Sequence, residues 1–409
     1  SSVRCLRRRG RFACALGGCG PHQLEVLCKL AATCEFSALG QACPRPRVTL
    51  VKGYANPVLV FGGGYDPAED AQPPTADTMG RGIFVVDAVT GARVWSAAYT
   101  AGSAGCGGTT TKGACAVPAM KWAIPTDITF LDRDNDGKTD RFYAADVGGN
   151  VWRVDLEPSG GNTPDNWQVT KLAAVGCASG ACAAGTVPRK FFFPPNAVSV
   201  GVAGAAGSYD AVMLGSGDRE HPLISTDPAL SYFVVNRFYV LKDFTTGKDA
   251  SSAVTLTESS LIDATTVPYN GTLSGFYVTF ATGEKAVNAS TTTRGTTFFG
   301  TNQPKAPSPN SCLSNLGIAK GYALVPFTGT LNATVYDGGG LPPTPITGIV
   351  NITLADGSTV QKEFCVGCGG ATSIAGDAAK GGDSSSALGA GDLTIKVPKN
   401  LRRTYWYKK

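Results

Sequence analysis

A pair of short strands recurs four times along the chain, at intervals of about 70 to 85 residues. The first strand of each pair is apolar and ends in glycine or a small polar residue, and the second has an aromatic or valine-rich core. The pairs are PVLVFGGG (57–64) with GIFVVDAVTGARVW (82–95), RFYAADVGG (141–149) with NVWRVDL (150–156), AVMLGSG (211–217) with NRFYVLKDFTTG (236–247), and TTFFGTN (296–302) with GYALVPFTGTL (321–331). Repeated antiparallel units that each bury a face against the next predict an all-β fold, a β-propeller.

The number of blades stays open. Four units can close a ring, but propeller blades often form larger rings. The chain therefore holds either a complete ring or part of one, with the missing N-terminal blades upstream of Leu39.

The sequence predicts three regions. Residues 1–36 form an unassigned segment rich in cysteine and arginine, and residues 37–331 form the blades. Residues 332–409 contain short strands, a flexible Gly/Ser-rich segment and a final strand that closes on the propeller. Residues 1–36 carry five arginines and five cysteines without strand alternation, so no strand is predicted there. The segment is either a disulfide-rich loop region or not native sequence.

An acidic loop at 132–140 lies between two predicted strands. Its polar residues are Asp132, Asp134, Asn135, Asp136 and Asp140, with Gly137 at the turn. Like charges this close repel one another unless a cation lies between them. The spacing D-x-D-x-D-G matches the first half of an EF-hand loop.

The spacing predicts a set of calcium ligands. They are the carboxylates of Asp132, Asp134 and Asp136, the carbonyl of Lys138, and Asp140, which ligates directly or through water. The twelfth position, glutamate in an EF-hand, is Tyr143 here, and strands succeed the loop instead of the exiting helix. The alternative is a solvated acidic turn without a metal.

Composition restricts the possible partners. The net charge is +5, but the basic residues crowd the two ends of the chain. These residues are Arg4, Arg7, Arg8, Arg9 and Arg11, and Lys396, Lys399, Arg402, Arg403, Lys408 and Lys409. A nearly neutral body does not favour nucleic-acid binding, which needs a basic face on the folded domain. No apolar run has transmembrane length.

Thirteen cysteines favour an oxidising, exported location. The pairs Cys106/Cys115 and Cys177/Cys182 each bracket a short Gly/Ala-rich insertion, which predicts local disulfides. Cys365 and Cys368 either bridge each other, or one of them pairs with Cys312. Since the chain begins with serine and shows no signal peptide, we expect the export signal to lie upstream.

Two further motifs admit an enzymatic interpretation. The Asp-x-x-Thr-Gly turn of VVDAVTGARVW predicts a tight turn, with Trp95 packed between blades. The same pattern occurs in quinone-dependent dehydrogenases that bind calcium beside the quinone, but no second acidic base and no vicinal cysteine pair is present. GSGDREHP (215–222) places Ser216, Asp218 and His221 close together. A salt-bridged turn is favoured there over a hydrolase site, because groups this close in sequence seldom face one another.

In these motifs the chain resembles the C-terminal propeller region of the PilC/PilY family of type IV pilus tip-associated proteins. The resemblance runs from Leu39 to Tyr407 and rests on NPVLVFGGGYD, GIFVVDAVTGARVW, PTDITFLDRDNDGKTDRFYAADVGGNVWRVDL, VMLGSGDREHP, RFYVLKD, FFGTNQP, GYALVPFTGTL and RRTYWY. It implies a calcium site in a D-x-[DN]-x-D-G-x-x-D loop, with the five ligands named above.

The resemblance also implies a function without catalysis. The protein would be exported to the pilus tip and outer membrane, and would contact minor pilins and the pilus assembly machinery. Calcium would tune the balance of pilus extension and retraction, and the protein would support surface adhesion. The alternative is the quinone-dependent dehydrogenase.

Overall fold

A computed structural model gives the fold of the chain. The structure describes residues 3–8, 11–16, 36, 38–41, 44–71, 75–106, 113–180, 182, 186–201, 205–218, 221, 234–245, 254–305, 316–353 and 359–368. Within these ranges the regular structure is β-strand with a few single 3₁₀ turns, so the chain is all-β as expected. No helix among the described residues is long and apolar enough to cross a bilayer.

The chain begins with a two-stranded hairpin and a first large sheet. The hairpin pairs β1 (Val3–Arg8) with β2 (Arg11–Leu16). The expectation of no strand in residues 1–36 is therefore wrong, since backbone pairing between two strands does not need an alternating pattern. Sheet I contains β3 (Arg47–Thr49), β4 (Val58–Gly62), β5 (Gly82–Asp87), β6 (Arg93–Ala98), β7 (Gly105–Cys106) and β8 (Ala114–Ala116), in the order β3-β4-β5-β6-β8-β7.

Three more sheets come next in chain order. Sheet II contains β9 (Thr129–Leu131), β10 (Arg141–Ala145), β11 (Asn150–Asp155) and β12 (Gln168–Ala174), paired in sequence. Sheet III contains β13 (Asn196–Val200), β14 (Tyr209–Gly215), β15 (Arg237–Asp243), β16 (Ile262–Asp263) and β17 (Gly275–Thr279), in the order β13-β14-β15-β17-β16. Sheet IV contains β18 (Lys285–Ala286), β19 (Thr291–Thr293), β20 (Thr296–Gln303), β21 (Ile318–Leu324) and β22 (Leu331–Tyr336), in the order β18-β20-β21-β22 with β19 also on β20.

Each of the four predicted strand pairs lies within one sheet. The hydrogen-bonded partners are β4 with β5, β10 with β11, β14 with β15, and β20 with β21. The strands predicted in the tail are a hairpin of β23 (Ile346–Thr353) and β24 (Thr359–Val366). The Gly/Ser-rich segment and the final strand predicted for the tail lie outside the described residues.

Neighbouring sheets pack face to face in chain order. Strand β10 shows the principle, because its side chains alternate between two cores. Phe142 and Ala144 pack in the core shared with sheet I, whereas Tyr143 and Ala145 pack in the core shared with sheet III. Sheets III and IV share a third core around Phe238. Both faces of sheet II are thus covered.

Trp95 and the predicted disulfides also have defined places. Trp95 is buried between sheets I and II, with its ring centroid 6.0 Å from that of Trp167. Disulfides join Cys106 to Cys115 and Cys177 to Cys182, as the sequence predicts. Each closes a short insertion between strands.

Candidate metal centre

The acidic loop, residues 132–140, connects β9 to β10 at one edge of sheet II. Two of its residues have left-handed backbone conformations, Asn135 with φ 57° and Gly137 with φ 84°. Asparagine tolerates this region better than most residues, and glycine adopts it without steric cost. The sequence Asn-Asp-Gly therefore permits the sharp turn that brings the carboxylates together.

Backbone amides orient three of the carboxylates. Gly137 N donates to Asp132 Oδ2 at 2.9 Å, and Asp136 N donates to Asp134 Oδ1 at 3.2 Å. Lys138 N donates to Asp136 Oδ1 at 2.9 Å. Each of these carboxylates thus has one oxygen held by the loop itself. Ligand oxygens of Asp132, Asp134 and Asp136 lie within 4.8 Å of one another.

Asp140 closes the loop but stands apart from this group of three. Its Oδ2 accepts a hydrogen bond of 2.6 Å from the backbone amide of Arg133. Its Oδ1 is buried and has no hydrogen-bond partner among the described residues. The structure thus brings three of the four predicted carboxylates together and places the fourth at the loop's end. The role of the Lys138 carbonyl stays a prediction.

A lysine from the connection between β3 and β4 lies among the carboxylates of the acidic loop. The Nζ of Lys52 lies 2.7 Å from Asp134 Oδ2, 3.1 Å from Asp136 Oδ2 and 3.8 Å from Asp140 Oδ1. It also lies 2.9 Å from Oε1 of Glu157, which comes after β11. The sequence predicted neither Lys52 nor Glu157. The antiparallel pairing of β10 with β11 was a signal for Glu157, because it places residues after 155 beside the end of the loop.

The backbone near Lys52 is fixed to the acidic loop. Thr139 N donates to the carbonyl of Leu50 at 2.8 Å, and Val51 forms an isolated parallel bridge with Thr139. The hydroxyls of Thr49 and Thr139 are 2.6 Å apart. The edge of sheet I and the acidic loop are therefore one connected unit.

The electrostatics of the site reflect the crowded carboxylates. Burial opposes the charge on Lys52, but its contacts with Asp134, Glu157 and Asp136 raise the pKa of the ammonium above its usual value. The Lys52 hydrogen bond lowers the pKa of Asp134. Burial, together with the charges of Asp134 and Glu157, raises the pKa of Asp140. The Lys52 ammonium thus supplies positive charge that stabilises the neighbouring carboxylates.

The residues present fit a calcium ion. Asp132 Oδ1 and Asp140 Oδ1 are buried oxygens without a hydrogen-bond partner among the described residues. A buried acceptor left in this state is costly, and a cation would satisfy it. The side-chain donors are all carboxylate oxygens, which are the ligands that calcium prefers.

Arg133 connects the acidic loop to sheet III. Its side chain is buried, and its Nε lies 2.6 Å from Oδ1 of Asp210 on β14. Asp210 also accepts hydrogen bonds from Arg141 Nη1 at 2.9 Å and from the Tyr143 hydroxyl at 3.0 Å. Two arginines and a tyrosine from sheet II and its loop thus converge on one fully buried carboxylate.

Described residues of the GSGDREHP motif form salt bridges, in line with the interpretation favoured from the sequence. Asp218 Oδ2 lies 3.0 Å from His221 Nδ1 and 3.2 Å from Lys190 Nζ. Lys190 Nζ is also 2.7 Å from Oε2 of the fully buried Glu69. The Ser216 hydroxyl donates to Asn236 Oδ1 and accepts from the Arg237 amide. Residues 219, 220 and 222 of the motif lie outside the described residues.

The Asp-x-x-Thr-Gly turn has a structural role. Asp87 Oδ1 accepts hydrogen bonds from the amides of Val89 and Thr90, both at 2.7 Å. Asp87 Oδ2 accepts from the Tyr54 hydroxyl and from Asn56 Nδ2. These partners outweigh the effect of burial and lower the pKa of Asp87. The carboxylate therefore holds the β5–β6 hairpin.

No protein-family model and no curated protein matches the chain. Among solved structures, the crystal structure of the Pseudomonas aeruginosa PilY1 C-terminal domain is similar over 80% of this chain and 72% of that chain, with a TM-score of 0.50 and 17% identity. A quinohemoprotein alcohol dehydrogenase from Comamonas testosteroni has a TM-score of 0.35 and 11% identity, over 79% of this chain and 40% of that chain. An alpha-L-arabinofuranosidase from Fusarium graminearum has a TM-score of 0.32 and 8% identity, over 81% of this chain and 82% of that chain. The last two scores are too low to establish a common fold. This chain is thus similar in fold to the PilY1 C-terminal domain.

Proposed function

We propose that this chain is a calcium-binding protein associated with type IV pili, which supports pilus biogenesis and surface adhesion and catalyses no reaction. The observation that carries the proposal is the acidic loop, on a fold similar to that of the PilY1 C-terminal domain. Its partners would be minor pilins at the pilus tip and the assembly machinery. The two disulfides support an exported location.

In this proposal sheets I to IV are consecutive blades of a β-propeller. Successive packing of four multi-stranded sheets in chain order supports this arrangement, since blades of a propeller each pack against their neighbours. The loops between strands would then form the surfaces at the two ends of the ring.

Calcium would be held by Asp132, Asp134, Asp136, Asp140 and the carbonyl of Lys138. When bound, the ion supplies positive charge that neutralises the carboxylates. Two residues of the chain would transmit the effect, because Thr139 attaches the acidic loop to sheet I and Arg133 attaches it to sheet III. A change in the order of the loop would therefore act on both neighbouring sheets, and through them on the balance of pilus extension and retraction.

Calorimetric titration of the full chain with calcium tests the site. Wild type is expected to bind one ion, and Asp132→Ala and Asp136→Ala are expected to lose binding. Equal binding by wild type and both variants would show that the acidic loop is not the site. Electron microscopy of cells that produce each variant in place of wild type tests the role in pili. We expect the number of surface pili to differ between wild type and the loop variants.

The alternative is a quinone-dependent dehydrogenase. The dehydrogenase hypothesis came from the Asp-x-x-Thr-Gly turn. The aspartate of this turn accepts hydrogen bonds from backbone amides within the β5–β6 hairpin. Reconstitution with quinone and calcium, followed by absorbance spectroscopy and dye-linked alcohol oxidation, separates the two functions. A quinone spectrum with alcohol-dependent dye reduction would favour the enzyme.

A further inference from the structure

The surroundings of the Lys52 ammonium resemble those of a bound cation. Four carboxylate oxygens lie within 4 Å of Nζ, at 2.7, 2.9, 3.1 and 3.8 Å, from Asp134, Glu157, Asp136 and Asp140. A lysine on a protein surface ordinarily forms a single weak ion pair. Here one ammonium lies among carboxylates from the middle and the end of the acidic loop and from Glu157, which comes after β11.

The partners of this ammonium overlap with the proposed calcium ligands. Asp134, Asp136 and Asp140 belong to both sets. Two cations that contact the same oxygens at these distances repel one another strongly in a partly buried site. Occupancy by the lysine and occupancy by calcium are therefore mutually exclusive.

The Lys52 side chain can leave the acidic loop without a movement of the backbone. Its backbone is held by the bridge between Val51 and Thr139. Its side chain is 22% exposed, and a flexible four-carbon stem separates the ammonium from the backbone. The ammonium can thus move into solvent while sheet I stays attached to the acidic loop.

We propose that Lys52 is a built-in competitor of calcium, an internal cation that fills the acidic loop when calcium is absent and is displaced when calcium binds. This inference rests on the proposed calcium site and adds its regulation. Lys52 keeps the carboxylates together without metal. Because calcium can bind only the molecules in which Lys52 has left the loop, the apparent calcium affinity is the intrinsic affinity multiplied by the fraction of such molecules. Calcium would bind only when its concentration is high enough to overcome the lysine.

Calorimetry of the full chain with calcium chloride tests this proposal through Lys52→Met. The variant keeps the length of the side chain and removes the ammonium, so we expect it to bind calcium at least about tenfold more tightly than wild type. The matched control is Lys121→Met, which removes an equal charge from an exposed side chain outside the acidic loop. It is expected to change the affinity by less than about threefold.

Lysine acetylation followed by mass spectrometry provides a second test, on wild-type protein. Lys52 is expected to be slowly acetylated in EGTA and several-fold faster with saturating calcium. Lys121, whose exposed side chain lies outside the acidic loop, is expected to react quickly in both conditions and serves as the internal control. This measurement decides the matter if Lys52→Met does not fold.

The outcomes separate the two proposals. If wild type and Lys52→Met bind calcium with the same affinity, or if acetylation of Lys52 does not depend on calcium, the competitor is refuted and the calcium site stands. If Lys52→Met binds more weakly, Lys52 assists the site and the inference is likewise wrong. If neither protein binds calcium, the calcium site itself fails.

Discussion

Arg133 donates from Nε to Oδ1 of Asp210 at 2.6 Å, across the boundary between the acidic loop and sheet III. The backbone amide of the same arginine donates to Asp140 at the end of the loop. One residue thus orients a proposed calcium ligand and is fixed to the neighbouring sheet. The geometry of the loop therefore depends on a carboxylate that would not itself contact the ion.

Removal of that carboxylate is expected to destabilise the protein strongly. Asp210→Ala takes the counter-charge from the buried Arg133 and one of three from Arg141, which costs about 3 to 5 kcal/mol. Urea unfolding measures the loss, and calorimetry is expected to show weaker calcium binding. Asp127→Ala is the control, because its partner Arg45 is 81% exposed and the pair contributes less than about 1 kcal/mol. Equal urea midpoints for the two variants would contradict the prediction.

The left-handed turn at Gly137 gives a second prediction. Gly137→Ala is expected to cost about 1 kcal/mol and to weaken calcium binding, because alanine disfavours a φ of 84°. A Cβ at this position would meet no atom within 4 Å, so the effect is one of backbone conformation alone. Gly105→Ala is the control, since Gly105 is equally open but is not left-handed. Thermal melting compares the two, and indistinguishable melting temperatures would refute the prediction.

A buried carboxyl pair predicts a dependence of stability on pH. Burial and the neighbouring charge of Glu69 raise the pKa of Asp77 to about 9. The folded protein therefore binds more protons than the unfolded chain between the ordinary aspartate pKa of about 4 and a pH of about 9, and stability falls as pH rises through this window. Burial also raises the pKa of Glu69, which faces Lys190.

Asp77→Asn removes the titrating carboxyl while the amide oxygen can still accept from the backbone amide of Ala123. We expect melting temperatures measured from pH 5 to 9 to decline less steeply than those of wild type. The variant should gain about 1 to 3 kcal/mol at the alkaline end. Asp70→Asn, at an exposed position in the same segment, is the control and should follow the wild-type curve. Parallel curves for wild type and Asp77→Asn would disprove the assignment.

The boundary between sheets III and IV gives a fourth prediction. The rings of Phe238 and Phe299 stack across it with centroids 3.9 Å apart. Phe299→Ala is expected to cost about 3 to 5 kcal/mol, because it leaves a cavity in this core. Phe327→Ala is the control, since Phe327 is 43% exposed and should lose less than about 1 kcal/mol. Denaturant unfolding measures both losses, and similar values would show that the stacked pair contributes little.

The strands and the acidic loop were predictable because their signals are local. Apolar runs that end in glycine mark β4, β10 and β14, and the Asn-Asp-Gly turn fixes the carboxylates of Asp134 and Asp136. The disulfides were predictable from cysteines that bracket short insertions. Each of these features is decided by residues that are near one another in the sequence.

The contacts of Lys52 and Arg133 were not predictable in this way. Lys52 reaches Asp134 from 82 positions earlier, and Arg133 reaches Asp210 from 77 positions earlier. Such pairs depend on how one sheet packs against the next, which no local pattern specifies. The buried run Arg141 to Asp155 likewise contains charged residues whose partners become evident only in the assembled fold.

Strand β10 contributes to two hydrophobic cores, because alternate side chains pack on either side of sheet II. A slip of its register by a single residue would exchange Phe142 with Tyr143, placing a hydroxyl among apolar groups on one side and depriving Asp210 of a donor on the other. A one-residue slip of β10 would therefore disrupt packing at two interfaces at once. The alternation of β10 therefore ties the register of sheet II to its packing against both neighbouring sheets.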